Sequence, residues 1–154
     1  SAETGSVKEK KMKKEFTIRW TWLKVMYVYT IIGAGSFGLG MLIMPEKVKS
    51  MFAWPVDEPL AFGIIGAVWL AFGLVSLLGL WSPLKFVPVL LLQLCYKTLW
   101  VLGVFLPLAL KEQFPEYGLM TVIIFASYIL GDLIAIPFPY LFGRRYDLSA
   151  QHAH

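Results

Sequence analysis

Residues Phe86 to Leu110 read FVPVLLLQLCYKTLWVLGVFLPLAL. At about 1.5 Å per residue, a helix over this run is long enough to cross a hydrocarbon core of about 30 Å. Yet it carries Gln93 and, four residues on, Lys97, close to its middle. On lenient insertion scales an ammonium at that depth costs about 2.5 to 3.5 kcal/mol unless it is paired, snorkels or faces water. The rest of the chain must therefore supply an answering group.

Three further apolar blocks, near residues 25 to 44, 60 to 81 and 118 to 142, are of comparable length. With 58% hydrophobic residues among 154 and a mean hydropathy of +0.67, no soluble fold of this size could hide all four. The expected fold is all-α: a polytopic membrane protein whose four transmembrane helices form an antiparallel bundle. Residues 1–24 form a basic cytoplasmic tail and interfacial segment, 25–142 the transmembrane domain, and 143–154 a cytoplasmic C-terminal tail. The spans leave no room for a soluble catalytic module.

The placement of charge sets the expected orientation. Lys8, Lys10, Lys11, Lys13, Lys14, Arg19 and Lys24 precede the first block, Lys85 separates the second from the third, and Arg144 and Arg145 follow the fourth. In a four-pass chain these share one side, against Lys47, Lys49 and Lys111 on the other, so the positive-inside rule puts both termini in the cytoplasm. The lysine-rich start is expected to touch anionic lipid at the bilayer surface and not nucleic acid. Its polar composition and the length of the block behind it argue against a cleaved signal peptide. The expected location is a bacterial inner membrane.

Within the first block, Gly33, Gly35 and Gly38 spell G-x-G-x-x-G. A dinucleotide site needs that motif inside a βαβ unit, which these blocks cannot build, so the glycines are read as helix-packing residues. After Met44, PEKVKSM has proline and glutamate where a helix begins, with Val48, Met51 and Phe52 at helical spacing. A short amphipathic helix on the outer face is expected, ended by Trp54, Pro55 and Pro59. In the second block Gly63, Ala67 and Ala71 recur every four residues and Gly66 and Gly73 lie seven apart, a stripe suited to close packing. Ser82 to Lys85 then makes a tight turn into the third span.

The fourth block carries Asp132, ahead of Pro137-Phe138-Pro139, which should end or kink the helix near Ile136, so that the span stops either there or at Phe142. Side chains lean toward their own helix N-terminus, so Lys97 and Asp132 on oppositely directed helices lean together. They are expected to form an ion pair, with Gln93 and Tyr128 a turn away and Ser76, Tyr96 and Ser127 as further partners. Lys97, Asp132, Gln93 and Tyr128 are the ligand or proton candidates. Cys95, the single cysteine, is expected to be a small buried apolar residue. Both histidines, His152 and His154, fall at the end of the chain, so neither a metal site nor a histidine-held haem is expected, and no cofactor. There is no Ser/His/Asp set, no Cys/His pair and no second intramembrane carboxylate, and no enzyme activity is expected.

The glycine-rich first span ending in Pro45, the outer amphipathic segment, the G-x-x-W-L-A-x-G run from Gly66 to Gly73 and the four short spans resemble the DoxX-like group of small four-helix membrane proteins. The likeness covers about residues 25 to 142 and contains no catalytic motif. It implies, for some members, company with quinone-linked redox enzymes, although this chain has no redox ligands of its own. Two functions follow as expectations. One is a non-catalytic accessory subunit of a larger membrane complex, its bundle fixed by the Lys97/Asp132 pair. The other is a proton-linked carrier, or a binder of a small quinone-like hydrophobic ligand, using the same polar cluster.

Overall fold

The computed structural model describes residues 18–55 and 57–142; the basic segment at 1–17 and the C-terminal segment at 143–154 lie outside the described residues. In chain order the helices are α1 (Trp20–Ile43), α2 (Pro45–Met51), α3 (Pro59–Trp81), α4 (Val87–Leu110), α5 (Leu119–Ala135) and α6 (Phe138–Phe142). Among the described residues there is no strand. Helices α1, α3 and α4 are long and apolar enough to cross a membrane, and so is α5 together with the 3-10 turn Glu116–Gly118 that leads into it. Hydrocarbon offers the backbone no partners, and a helix satisfies its own. The chain is accordingly a membrane-integral, all-helical protein.

Local chemistry sets the helix ends. Pro45 opens α2 with Glu46 in its first turn, and Pro59 opens α3 behind Glu58, whose carboxylate accepts from the Ala61 amide at 2.6 Å. An acidic group there satisfies free amides and complements the helix dipole. At the other end of α2, the Trp54 and Ala53 amides donate to the Lys49 and Ser50 carbonyls, with Ala53 left-handed at φ 49°. Helix α4 closes the same way: the Gln113 and Glu112 amides donate to Leu108 and Ala109, with Glu112 at φ 54°. Both are Schellman closures, in a position where glycine is usual. Of the two expected outcomes at Pro137, an end and not a kink is found: α5 stops because Ile136 precedes the proline and takes extended backbone at φ −70°, ψ 122°. Beyond it, α6 stacks Phe138 on Phe142 with ring centres 6.4 Å apart.

Lys49 ties the segment after α2 together, donating to Asp57 at 2.6 Å and to Glu46 at 3.3 Å. The Asp57 hydrogen bond holds its pKa above the ordinary lysine value, against some desolvation and with help from Glu46. Val48 and Phe52 are buried on Met41 and Phe62, whereas Met51, expected on the same face, is exposed.

Helix α1 is the most buried of the four long helices and packs against both α3 and α5, while α4 rests mainly on α5 and meets α3 only sparsely. Glycines let α1 and α3 touch along their backbones. A Cβ on Gly73 would stand 2.6 Å from Gly35 Cα, and one on Gly38 would stand 2.6 Å from the Gly66 carbonyl oxygen. Nearer the Ser82–Lys85 turn, Gly79 makes room for the Tyr27 ring, whose hydroxyl donates to the Pro83 carbonyl at 2.6 Å. The stripe Gly63, Ala67, Ala71 does not pack in this way. Nothing lies within 4 Å of a Cβ on Gly63, and both alanines are exposed. The helix turns by about 100° per residue, so the contact face follows the sevenfold spacing of Gly66 and Gly73.

Two long helices carry a π turn, α1 at Ile31–Gly35 and α4 at Val101–Phe105. The second precedes Pro107, which has no amide for the Gly103 carbonyl and crowds it, so the ladder widens there. The first has a different cause, which belongs to the site.

Candidate functional site

The buried polar side chains among the described residues are Thr30, Ser76, Gln93, Lys97 and Asp132, none more than 2% exposed. Gln93 organises one layer of them. Its amide nitrogen donates one hydrogen to Thr30 Oγ1 at 3.2 Å and the other to Asp132 Oδ2 at 3.3 Å, linking α4 to α1 and α5. Thr30 can accept because its own hydroxyl proton goes to the Met26 carbonyl at 2.8 Å. Gln93 Oε1, Asp132 Oδ1 and Ser76 Oγ have no protein partner.

Lys97 lies one turn along α4 and belongs to a second layer. Its ammonium makes no hydrogen bond, and the ion pair expected with Asp132 is not formed. The reason is register. Asp132 is level with Gln93, which binds it, and Lys97 is level with Tyr128, one turn earlier on α5. The Lys97 Nζ instead faces three rings, at 4.1 Å from the centre of Tyr128, 4.5 Å from Tyr96 and 5.4 Å from Phe125. A desolvated cation over an aromatic face gains about 2 kcal/mol. That offsets part of its burial and supplies no acceptor for its three N–H groups.

Tyr128 explains the π turn in α1. Its hydroxyl donates to the Tyr29 carbonyl at 3.2 Å and accepts from the Ala34 amide at 3.2 Å, so it sits between the two groups that an i to i+5 bond would join. A side chain inserted in the ladder widens it. Gly33 leaves the space, since a Cβ there would collide with the Tyr128 hydroxyl. Of the expected further partners, Tyr96 contributes its ring, Ser76 is buried without a partner, and Ser127 is exposed, bonded to Tyr29 and to the Ile124 carbonyl. Cys95 is exposed, not buried, on the side of α4 away from this cluster.

A chamber of about 140 Å³ opens at Lys97, walled by Tyr29, Gly33, Ala34 and Phe37 of α1, Trp69 of α3, Tyr96 of α4 and Ile124, Phe125 and Tyr128 of α5. Trp69, Tyr96 and Phe125 also border a second cavity of about 330 Å³. That one is lined almost wholly by apolar side chains, reaching Met41, Val48 and Phe52 on one side and Trp100, Val104 and Leu108 on the other. The sparse contact of α4 with α3 leaves the space. The two cavities thus share an aromatic wall, and Lys97 lines the smaller one. Trp69 and Phe125 stack edge to face at 6.4 Å, and Tyr96 and Phe125 at 5.9 Å.

Sequence reasoning overlooked Thr30, Trp69 and Phe125. Thr30 gave a usable signal, being a hydroxyl deep in an apolar block. The two aromatics gave none, because every span is rich in them. Among the described residues no three His, Cys, Asp or Glu side chains gather as metal ligands would. No protein-family model matches this chain, and neither does any curated protein or solved structure with which it was compared.

Proposed function

We propose that this protein binds a small hydrophobic ligand within the membrane, seating an acceptor group of that ligand on Lys97. The observation that carries the reading is the fully buried Lys97, without a hydrogen-bond partner, lining a chamber that shares Trp69, Tyr96 and Phe125 with a larger apolar cavity. An intramembrane ionisable group is a functional candidate by default, and a 330 Å³ cavity with few polar groups falls at the small end of ligand pockets. A quinone-like carbonyl or a carboxylate meets the requirement. Proton-linked transport would use the same cluster. The test is calorimetric titration of the purified protein with a short-tailed benzoquinone and with octanoate. Saturable binding of at least one, lost when Thr121→Trp fills the larger cavity, supports the reading; binding of neither refutes it.

The framework we propose for this site is an antiparallel four-helix bundle with α2 as a short amphipathic helix on the outer face. The contact order supports it, since Gly35 meets Gly73 and the later Gly38 meets the earlier Gly66. The charge distribution supports cytoplasmic termini and contact of the basic tail with anionic lipid, and the location proposed with them is a bacterial inner membrane. Kinship with the DoxX-like group remains a proposal from sequence pattern. A second reading, a non-catalytic subunit of a larger membrane complex, draws on α3 and α4, each only 22% buried and so offering broad apolar faces to other subunits. Purification with a stoichiometric membrane partner would favour it.

A further inference from the structure

If the chamber at Lys97 binds a ligand, as read above, its chemistry also restricts the ligand's head group. Lys97 brings three N–H donors and no acceptor. The Tyr128 hydroxyl is occupied by the Tyr29 carbonyl and the Ala34 amide, the Tyr29 hydroxyl is shared with Ser127, and the remaining walls are mostly ring faces and small residues. An amine head would meet a second cation and no carboxylate in the chamber wall to balance it. An alcohol would leave the ammonium without a counter-charge, whereas a carboxylate would give it charge-assisted hydrogen bonds. Size agrees with a head and a body of unequal volume. A cavity of about 150 Å³ takes a benzene-sized group, and the chamber has about 140 Å³, beside 330 Å³ of apolar space.

Charge balance adds a second constraint. Asp132 and Lys97 are within electrostatic reach of one another, and the other titratable groups in reach of Asp132 are Tyr27 of α1, Tyr96 of α4 and Tyr128 of α5. Helix α3 contributes to the buried polar set only the uncharged Ser76. The cluster therefore holds one base and one acid. Adding a carboxylate would leave a net buried negative charge, which is strongly unfavourable. One proton removes it, and Asp132 has the place for it: Oδ2 accepts from Gln93 while Oδ1 has no partner.

We propose that the ligand is an amphiphilic monocarboxylic acid, held as its carboxylate on Lys97 with its chain in the larger cavity, and that one proton enters with it and resides on Asp132. No covalent bond changes except the O–H formed on Asp132, and its proton comes from solvent. The site thus takes up the elements of a neutral acid.

The test uses the full-length protein in non-ionic detergent, weakly buffered near neutral pH with an indicator dye. Octanoate, octanol and octylamine are titrated in turn, with protein-free micelles and the cavity-filled Thr121→Trp variant as controls for partitioning. The expected result is saturable octanoate binding with uptake of about one proton per site, and binding weaker by about tenfold or more in Lys97→Met. Asp132→Asn is expected to stay folded and to lose the uptake. Wild type alone is decisive should that variant fail to fold. Octanol or octylamine binding as tightly as octanoate, or octanoate binding without proton uptake, overturns the acid assignment and leaves the binding reading standing. If none of the three binds, and a short-tailed benzoquinone fails as well, the binding reading itself falls.

Discussion

Lys97 Nζ stands 4.1 Å from the centre of the Tyr128 ring, and the hydroxyl at the edge of that ring bridges the Tyr29 carbonyl and the Ala34 amide in the π turn of α1. One side chain therefore shapes the chamber with its face and the backbone opposite with its edge. Tyr128→Phe separates the two roles. The ring remains under Lys97, but the Ala34 amide loses its partner. Intramembrane hydrogen bonds average about 0.6 kcal/mol, and an abandoned buried amide costs about 1 to 3. The variant should melt slightly lower in detergent, with faster hydrogen exchange confined to Ile31–Gly35. Unchanged exchange there would remove the hydroxyl as the cause of the π turn.

The small residues of α3 give a contrast within one helix. Gly73→Ala places a methyl 2.6 Å from Gly35 Cα and must push α1 and α3 apart, which overpacking data put at about 1 to 3 kcal/mol. Gly63→Ala meets nothing within 4 Å and should be neutral or stabilising, since alanine is favoured over glycine in a helix by about 1 kcal/mol. Thermal melts of the two variants in the same detergent measure the difference. Equal melting temperatures would contradict the glycine crossing.

Ala53 and Glu112 occupy the left-handed positions of the two Schellman closures. Glycine adopts that conformation without a Cβ clash, although it gives the unfolded chain more freedom. Ala53→Gly and Glu112→Gly should each stabilise by under about 1 kcal/mol. Proline at either position should be clearly destabilising, because its φ is negative.

These closures show where sequence reading stops. The four spans were legible because a run of about 20 apolar residues has few other uses. Pro45, Pro59 and Pro137 marked helix ends for local reasons that any context preserves. Lys97, Asp132 and Gln93 stood out as costly residues in an apolar setting, and all three are in the buried cluster. Their pairing was not legible, because it depends on register: a one-turn offset puts Asp132 beside Gln93 and leaves Lys97 to Tyr128. The stripe Gly63, Ala67, Ala71 misled for a related reason. Small residues every four positions define a face without saying what lies against it. The cavities had no sequence signature, since they come from the spacing of α4 from α3.

An unpaired buried cation makes a stability prediction opposite to that of a buried ion pair. Lys97→Met removes the desolvation cost and keeps the stem volume, and a proton on the free Oδ1 of Asp132 keeps the cluster neutral, so the melting temperature should hold or rise while ligand binding falls. Had Lys97 and Asp132 been bonded, the same change would cost about 3 to 5 kcal/mol by stranding the carboxylate. Thermal melts of Lys97→Met, Asp132→Leu and the double variant measure this, and the two changes should show much less coupling than a direct pair would.

Trp69 borders both cavities and offers the most direct reading of the central claim. In a variant retaining Trp69 as its only tryptophan, a bromine-tagged octanoate should quench fluorescence saturably, and Lys97→Met in that background should weaken the effect by about tenfold or more. Quenching that rises without saturation, or is unchanged by Lys97→Met, would place the probe in the surrounding detergent or lipid and contradict a ligand site at Lys97.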